Sequence, residues 1–146
     1  MIPRTLTAEL KDYAKQYPIV TVTGPRQSGK TTLVRSVFPN HAYVSLEDLD
    51  RRREAIEDPR GFLAQYSEGA IIDEAQNVPD LFSYLQTEVD QRPQPGRFIL
   101  TGSQQFEMME RVSQSLAGRT AIARLLPLSL QELQTTREKI DLNNYL

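Results

Sequence analysis

A chain of 146 residues has room for one domain with a proper hydrophobic core and hardly for two. With 39% apolar and 25% charged residues, a net charge of −2 and no cysteine, the composition excludes disulfides, thiolate metal sites and a strongly basic surface overall. The N-terminus has no apolar signal-peptide core and no stretch approaches 18 apolar residues, so we expect no membrane span and a cytoplasmic location.

The predicted secondary structure alternates between strands and helices. Short apolar runs between turn signals predict strands over residues 19–23, 42–46, 69–73, 97–101 and 120–125. Apolar residues spaced three or four apart predict helices over residues 7–16, 32–38, from about 81 onward and 105–117, with Thr7 as the first cap. One or two short helices are expected in the polar segment 47–66, and Ser129 with Glu132 forms a capping box for a last helix. This alternation predicts an α/β fold with a mostly parallel sheet, in which ligands bind outside the carboxyl ends of the strands.

The most informative motif lies between the first strand and the following helix. Residues 24–31 read GPRQSGKT, a complete G-x-x-x-x-G-K-[ST] phosphate-binding loop. Such a pattern can match by chance in a glycine-rich loop, but here it has the required strand before it and helix after it. The glycines let backbone N–H groups turn toward one point, the helix adds its positive end, and Lys30 can reach the β- and γ-phosphates. The predicted nucleotide contacts are Gly24, Pro25, Arg26, Gln27, Ser28, Gly29, Lys30, Thr31 and Thr32.

Two carboxylates end the third predicted strand. Hydrolysis of a triphosphate needs Mg²⁺ near the phosphates and a group that orients the attacking water. We therefore predict that Thr31 holds Mg²⁺ directly and Asp73 holds it through water, while Glu74 orients the attacking water. The alternative is a pair of solvated carboxylates in a strand-to-helix turn, which would be favoured for an isolated Asp-Glu pair in a chain without a phosphate loop.

Two further polar residues have both a catalytic and a structural interpretation. Ser103 follows the fourth strand and can contact the γ-phosphate or the lytic water, or it can simply cap the next helix. Arg119 can stabilise charge on the transferred phosphoryl group, in its own site or that of a neighbouring subunit. Its alternative is a surface arginine after the helix-ending Gly118. Both residues are candidate catalytic groups beside Lys30 and Glu74.

Four segments, in order along the chain, carry a family resemblance. They are residues 23–32 (TGPRQSGKTT), 71–76 (IIDEAQ), 98–105 (FILTGSQQ) and 115–130 (SLAGRTAIARLLPLSL). Together they closely resemble a group of prokaryotic AAA+-type ATPases, whose amino-terminal ATPase domain is usually followed by a carboxy-terminal domain of unknown function. The resemblance implies a three-layer α/β/α P-loop NTPase fold with five strands in the order 5-1-4-3-2. It also implies Walker A at residues 24–31, Walker B at Asp73 and Glu74, the first sensor at Ser103 or Gln104, and an arginine finger at Arg119.

We therefore expect residues 1–146 to form a single AAA+-like core that binds ATP and hydrolyses its β–γ phosphoanhydride with Mg²⁺. The chain ends at Leu146, before the helical lid and the second domain that the family would add, so the expected core lacks both. ATP is favoured over GTP because no Asn-Lys-x-Asp motif is present.

Other functions and partners stay open at this stage. The alternatives are a nucleotide-dependent binding switch with little hydrolysis, a helicase-like motor, since residues 73–76 resemble the Asp-Glu box of helicases, and a P-loop kinase. A second copy of the chain and another protein are both open as partners. The basic run Arg51–Arg53 would favour nucleic acid as a partner, but the acidic residues around that run indicate a solvated helix face instead.

Overall fold

The computed structural model describes residues 4–25, 29–103 and 106–125. At its centre is a sheet of five strands: β1 Ile19–Thr23, β2 Ala42–Ser45, β3 Ala70–Asp73, β4 Phe98–Gly102 and β5 Thr120–Arg124. The helices are α1 Arg4–Gln16, α2 Lys30–Val37, α3 Leu49–Glu57, α4 Pro59–Ala64, α5 Leu81–Gln91 and α6 Phe106–Leu116, and a 3₁₀ turn covers Ala75–Asn77. The five predicted strands are confirmed, with small differences at their ends.

The strands lie in the order β2-β3-β4-β1-β5, and every neighbouring pair is parallel. β4 is inserted between β1 and β3, since Phe98 pairs with Ile19 on one side and with Ala70 on the other. The order 5-1-4-3-2 is thereby confirmed, counted from the opposite side of the sheet. The strand ends Thr23, Asp73 and Gly102 consequently lie side by side at one border of the sheet, which we call the carboxyl edge. The opposite border is the amino edge.

Two hydrophobic clusters cover the opposite faces of the sheet. Successive strand residues point to opposite faces, so Ile19 belongs to one cluster and Val20 to the other. The first cluster takes buried side chains from α3 to α6, such as Leu85, and the second joins α1 and α2 through Leu10 and Leu33. Every residue of β1, β3 and β4 is buried, as parallel strands covered on both faces require. The result is the three-layer α/β/α architecture.

The start of the first helix differs from the prediction. α1 begins at Arg4, so Thr7 lies inside the helix and the prediction that it caps the helix is wrong. The physical reason is that Leu6 packs against the same cluster as Leu10 and Tyr13, which extends the apolar face of the helix by a turn. Among the described residues, no helix is both long enough and apolar enough to cross a membrane.

The polar segment 47–66 forms two helices, each capped by an aspartate. The Asp48 side chain accepts from the N–H groups of the first turn of α3, and the Asp58 side chain accepts from Gly61 N–H in α4. The last predicted helix, starting at Ser129, lies outside the described residues.

A fully buried arginine lies at the amino edge, immediately before β4. Arg97 Nε donates to Ser67 O at 3.0 Å, and Nη1 donates to Glu88 O and Arg92 O at 3.2 and 3.4 Å. Nη2 donates to the Glu88 carboxylate at 2.5 Å. Arg97 thus supplies a donor to Arg92 O and a second donor to Glu88 O, which also accepts from Arg92 N–H at 3.1 Å, and it ties the end of α5 to the loop before β3.

Candidate functional site

The phosphate loop connects β1 to α2 at the carboxyl edge. Gly24 N–H donates to Gly102 O at 3.2 Å, which attaches the start of the loop to the end of β4. Gly29 has a φ of 86°, in the left-handed region where glycine is unstrained, and α2 begins at the next residue. A Cβ at Gly29 would meet no described atom within 4 Å, so there is open space beside this backbone. The predicted contacts at residues 26–28 lie outside the described residues.

Three predicted nucleotide contacts lie in the first turn of α2. Lys30 is 3% exposed, and among the described residues its Nζ has two long contacts, 3.4 Å to Pro25 O and 3.5 Å to Glu74 Oε2. Thr31 is half-buried and faces Asp73, whereas Thr32 is exposed. An ammonium carries three donors and is unfavourable when buried without strong partners. Lys30 therefore retains the capacity to bind an anion.

Asp73 is the centre of a hydrogen-bond network at the end of β3. Its carboxylate accepts from Thr31 Oγ1 at 3.0 Å, from the Tyr43 hydroxyl at 2.6 Å and from the Thr101 hydroxyl. These donors come from α2, β2 and β4, so three separate elements converge on one buried side chain. The Thr31 hydroxyl and the Asp73 carboxylate, which we predicted from the sequence to hold Mg²⁺, are therefore in contact.

Two of these partners of Asp73 are not among the predicted site residues. Thr101 is next to Asp73 because β4 is inserted beside β3, so the strand order would have identified it. Tyr43 lies inside the short strand β2, and no sequence signal indicates its role. Burial and the hydrogen bond to Asp73 raise the pKa of Tyr43 to about 12. Its hydroxyl therefore stays protonated at neutral pH and remains a donor.

Glu74 is held in an unusual backbone conformation. Among the described non-glycine residues it alone has a positive φ, 57°, and such residues concentrate at functional sites. Its N–H donates to Thr101 Oγ1 at 2.9 Å. Its carboxylate lies between Lys30 Nζ, 3.5 Å from Oε2, and Gln76 Nε2, 2.8 Å from Oε1. The turn after β3 thus points Glu74 toward the phosphate loop rather than leaving it as a solvated carboxylate.

Ser103 lies at the same edge, directly after β4. Its Oγ is buried and has no hydrogen-bond partner among the described residues. The expected alternative, a hydrogen bond that caps the next helix, is therefore not made within the described part of the chain. Within the described residues, this hydroxyl is therefore an unpaired polar group at the carboxyl edge. Gln104, the other sensor candidate, lies outside the described residues.

Arg119 lies at the amino edge, at the opposite border of the sheet from the phosphate loop. Its carbonyl accepts from Ile19 N–H at the start of β1, and its guanidinium binds Asp90 on α5 through hydrogen bonds of 2.7 and 2.9 Å. β1 has five residues, so its two ends are four residue steps apart, on the order of 13 Å. The hydrogen bond from Arg119 also lowers the pKa of Asp90. A role for Arg119 in the site of a neighbouring subunit stays a prediction.

The oxygen ligands at the carboxyl edge fit Mg²⁺ in combination with phosphate. Among the described residues, no group of three His, Cys, Asp or Glu side chains could hold a metal ion. Thr31 and Asp73 bring a hydroxyl and a carboxylate within 3.0 Å of each other. Mg²⁺ commonly takes one or two carboxylates and completes its six ligands with waters and substrate phosphates. A metal at this position would therefore depend on a bound nucleotide.

Residues 16–134 match the model of a protein family described as AAA domain. The uncharacterized proteins Rv2008c of Mycobacterium tuberculosis and Mb2031c of Mycobacterium bovis are each 38% identical to this chain over 133 residues. The match covers 89% of this chain and 30% of each relative, so the chain spans less than a third of their length.

Solved structures of replication initiators and ATPases share the fold. Domain III of the Thermotoga maritima replication initiation protein DnaA superposes with a TM-score of 0.55 at 17% identity, covering 92% of this chain and 65% of that one. The Walker-type ATPase PABY2304 of Pyrococcus abyssi gives 0.55 at 16% identity, covering 98% and 59%. AMPPCP-bound DnaA of Aquifex aeolicus gives 0.57 at 18% identity, covering 92% and 47%. These similarities place the described sheet and helices in the P-loop NTPase fold.

Proposed function

The chain belongs to the AAA domain family, and from this premise we propose that it binds ATP at the carboxyl edge and hydrolyses it with Mg²⁺ as cofactor. The main support for the proposal is a contact between two segments that lie 42 residues apart in sequence. Thr31 Oγ1 donates to the Asp73 carboxylate at 3.0 Å, and Lys30 Nζ lies 3.5 Å from Glu74 Oε2. A phosphate-binding cation, a metal-binding pair and a carboxylate that can orient water therefore share one site.

Triphosphate binding uses the start of α2 and the buried ammonium. The first N–H groups of a helix have no intrahelical acceptor, and the left-handed turn at Gly29 begins this helix beside open space. Lys30 exchanges its long contact with Glu74 for charge-assisted hydrogen bonds to phosphate oxygens. Thr31 directly and Asp73 through water would hold Mg²⁺, which supplies charge neutralisation at the β- and γ-phosphates when bound.

Hydrolysis is an in-line attack by water on the γ-phosphorus. Glu74 accepts a hydrogen bond from the water and directs the water oxygen toward phosphorus. The new phosphorus–oxygen bond forms as the bond to the β–γ bridging oxygen breaks, so the products are ADP and inorganic phosphate, and one water proton leaves by way of Glu74. Thr101 supports this arrangement, because its hydroxyl contacts both the Glu74 N–H and the Asp73 carboxylate.

The substitution Glu74→Gln tests the enzymatic part of the proposal. Because glutamine cannot take a proton from water, we expect kcat to fall about 100-fold or more while the Kd for ATP changes by no more than about twofold. Release of labelled phosphate gives the rate, and calorimetry gives the affinity. Glu57→Gln, on the exposed surface of α3, is the matched control. If the wild type binds nucleotide but shows no Mg²⁺-dependent turnover, the proposal that it is an enzyme fails and the proposal that it binds ATP stands.

A nucleotide-dependent switch with little hydrolysis is the second candidate. The observation in its favour is that Lys30 and Gln76 both contact the Glu74 carboxylate, so two donors compete with water for it. In this case turnover is slow, and the ATP-bound and ADP-bound forms differ in their association with a partner. Sedimentation velocity with a non-hydrolysable ATP analogue and with ADP distinguishes the two candidates when it is paired with the measured kcat.

A further inference from the structure

Gln76 lies in the 3₁₀ turn after β3 and contacts Glu74. Its Nε2 donates to Glu74 Oε1 at 2.8 Å. Because an ionised carboxylate only accepts, this contact determines which end of the amide faces Glu74. The other end, Oε1, is buried and has no hydrogen-bond partner among the described residues. Buried acceptors are rarely left unpaired in folded proteins, so a donor from outside these residues is expected here.

Packing holds the Gln76 amide close to the end of β4. A Cβ at Gly102 would lie 2.8 Å from Gln76 Oε1 and would also collide with Met108 Sδ. The missing side chain at this position lets the amide approach the strand. The next residue, Ser103, has the other buried and unpaired side-chain oxygen of the described residues. Among the described residues, one unpaired oxygen, Gln76 Oε1, therefore packs against Gly102, and the other belongs to the residue that follows Gly102 in sequence.

Water is the ligand whose hydrogen-bonding chemistry matches these groups. Glu74 and Gln76 Oε1 accept, and the Ser103 hydroxyl can donate or accept. A water molecule can donate twice and accept twice, and buried waters typically make about three hydrogen bonds. One water can thus donate to both the Glu74 carboxylate and Gln76 Oε1, whose residues are already in contact.

We propose that Gln76 is a positioning residue for ATP hydrolysis: its Nε2 holds the Glu74 carboxylate, and its Oε1 accepts a hydrogen bond from the water that Glu74 orients. The inference rests on the proposed function and deepens it by identifying how the base and the water are kept in place. It differs from a purely structural role for the amide, in which loss of the side chain would weaken nucleotide binding and stability together with turnover.

The test compares Gln76→Met with the wild type. Methionine has nearly the same length as glutamine but neither donates nor accepts a conventional hydrogen bond. The Glu74 carboxylate therefore loses the donor Nε2, and the water loses the acceptor Oε1. We expect kcat to fall roughly 100-fold, as misplaced reacting groups do, with KM and the Kd of a non-hydrolysable ATP analogue within about twofold of the wild type. Gln65→Met is the matched control, because the Gln65 amide also donates to a glutamate, Glu54, at 3.4 Å but on the exposed surface. Its kcat should equal that of the wild type.

The outcomes separate this inference from the proposed function. Wild-type kcat in Gln76→Met, or a parallel loss of nucleotide affinity, overturns the inference alone. A wild type that shows no turnover overturns the proposed function and the inference with it. If Gln76→Met does not fold, Gln76→Leu replaces it, since leucine also neither donates nor accepts a hydrogen bond and the same fall in kcat is expected.

A high-resolution crystal structure of the ligand-free chain supplies a readout that is independent of turnover. We expect a water within hydrogen-bond distance of Gln76 Oε1 and Glu74. A protein donor in its place would overturn the inference.

Discussion

The two edges of the sheet both contain buried charged side chains, and they differ in how those side chains are satisfied. At the amino edge, Arg97 is 0% exposed and makes four hydrogen bonds, one of them to the Glu88 carboxylate. At the carboxyl edge, Lys30 is almost as buried, but its contacts within the described part of the chain are 3.4 and 3.5 Å long. Ser103 Oγ and Gln76 Oε1 have no partner there among the described residues.

This difference teaches how burial should be interpreted in this protein. A buried charge that the chain itself satisfies ties elements together and contributes to stability. Buried groups with long contacts or none are unfavourable for folding, and a protein tolerates them where a ligand completes them. The backbone conformation of Glu74, with a φ of 57°, belongs to the same edge and fits the same interpretation. This interpretation would be wrong if removing the charge of Arg97 and removing the charge of Lys30 changed stability and ATP affinity in the same way.

The largest expected effect is on stability at the amino edge. Arg97→Met should lower the free energy of unfolding by about 3 kcal/mol, because Glu88 and three carbonyls lose a buried donor. Urea denaturation measures the change. Arg92→Met is the control, since Arg92 pairs with Glu68 at 3.8 Å on the exposed surface, and it should change stability by less than about 0.5 kcal/mol. Equal effects of the two substitutions would contradict the structural role of Arg97.

The opposite pattern is expected for Lys30 at the carboxyl edge. Lys30→Met should raise the Kd for ATP about 100-fold, close to 2.7 kcal/mol, because the phosphates lose their buried cation. Its ligand-free stability should change less than that of Arg97→Met, since the lost contacts are long. Calorimetry and denaturation together give both quantities, with the exposed Lys11→Met as control. Unchanged ATP affinity would remove Lys30 from the binding site.

Tyr43 provides a smaller, pH-dependent test of the Asp73 network. Tyr43→Phe should cost about 1 kcal/mol at neutral pH through loss of the hydrogen bond to Asp73. The pKa of Tyr43 is raised to about 12 in the folded chain, from 10.0. The unfolded chain therefore loses this proton first, so the advantage of the wild type is complete below pH 10 and disappears as the pH rises toward 12. Denaturation of both proteins at pH 8 and pH 11.5 measures this. A difference that does not depend on pH would contradict the hydrogen bond.

The smallest effect is expected for Arg119, whose ion pair with Asp90 is exposed. Arg119→Met should leave the Kd for ATP within about twofold, because the guanidinium does not reach the site of its own chain. At protein concentrations where the chain is monomeric, kcat should also be unchanged. A fall in kcat that appears only as the chain self-associates would support a role in a neighbouring subunit's site, and a fall in the monomer would contradict the position of Arg119.

Much of the fold could be predicted from the sequence because its signals are local. The β-branched run before Gly24 and the apolar run before Asp73 each specify a buried strand, and the structure has strands at both places. The strand order could not be predicted from such local signals. It came from the family resemblance, because periodicity within a strand carries no information about which strand lies beside it.

The candidate site also has a part that local sequence motifs predict and a part that depends on the tertiary structure. The sequence by itself identified residues 24–31 and the pair Asp73 and Glu74 as site candidates, since each is a contiguous motif at the end of a strand. The tertiary structure alone decided that Tyr43 and Thr101 donate to Asp73 and that Arg119 lies at the amino edge. Those facts depend on strand insertion and register between segments far apart in the chain, which no local pattern encodes.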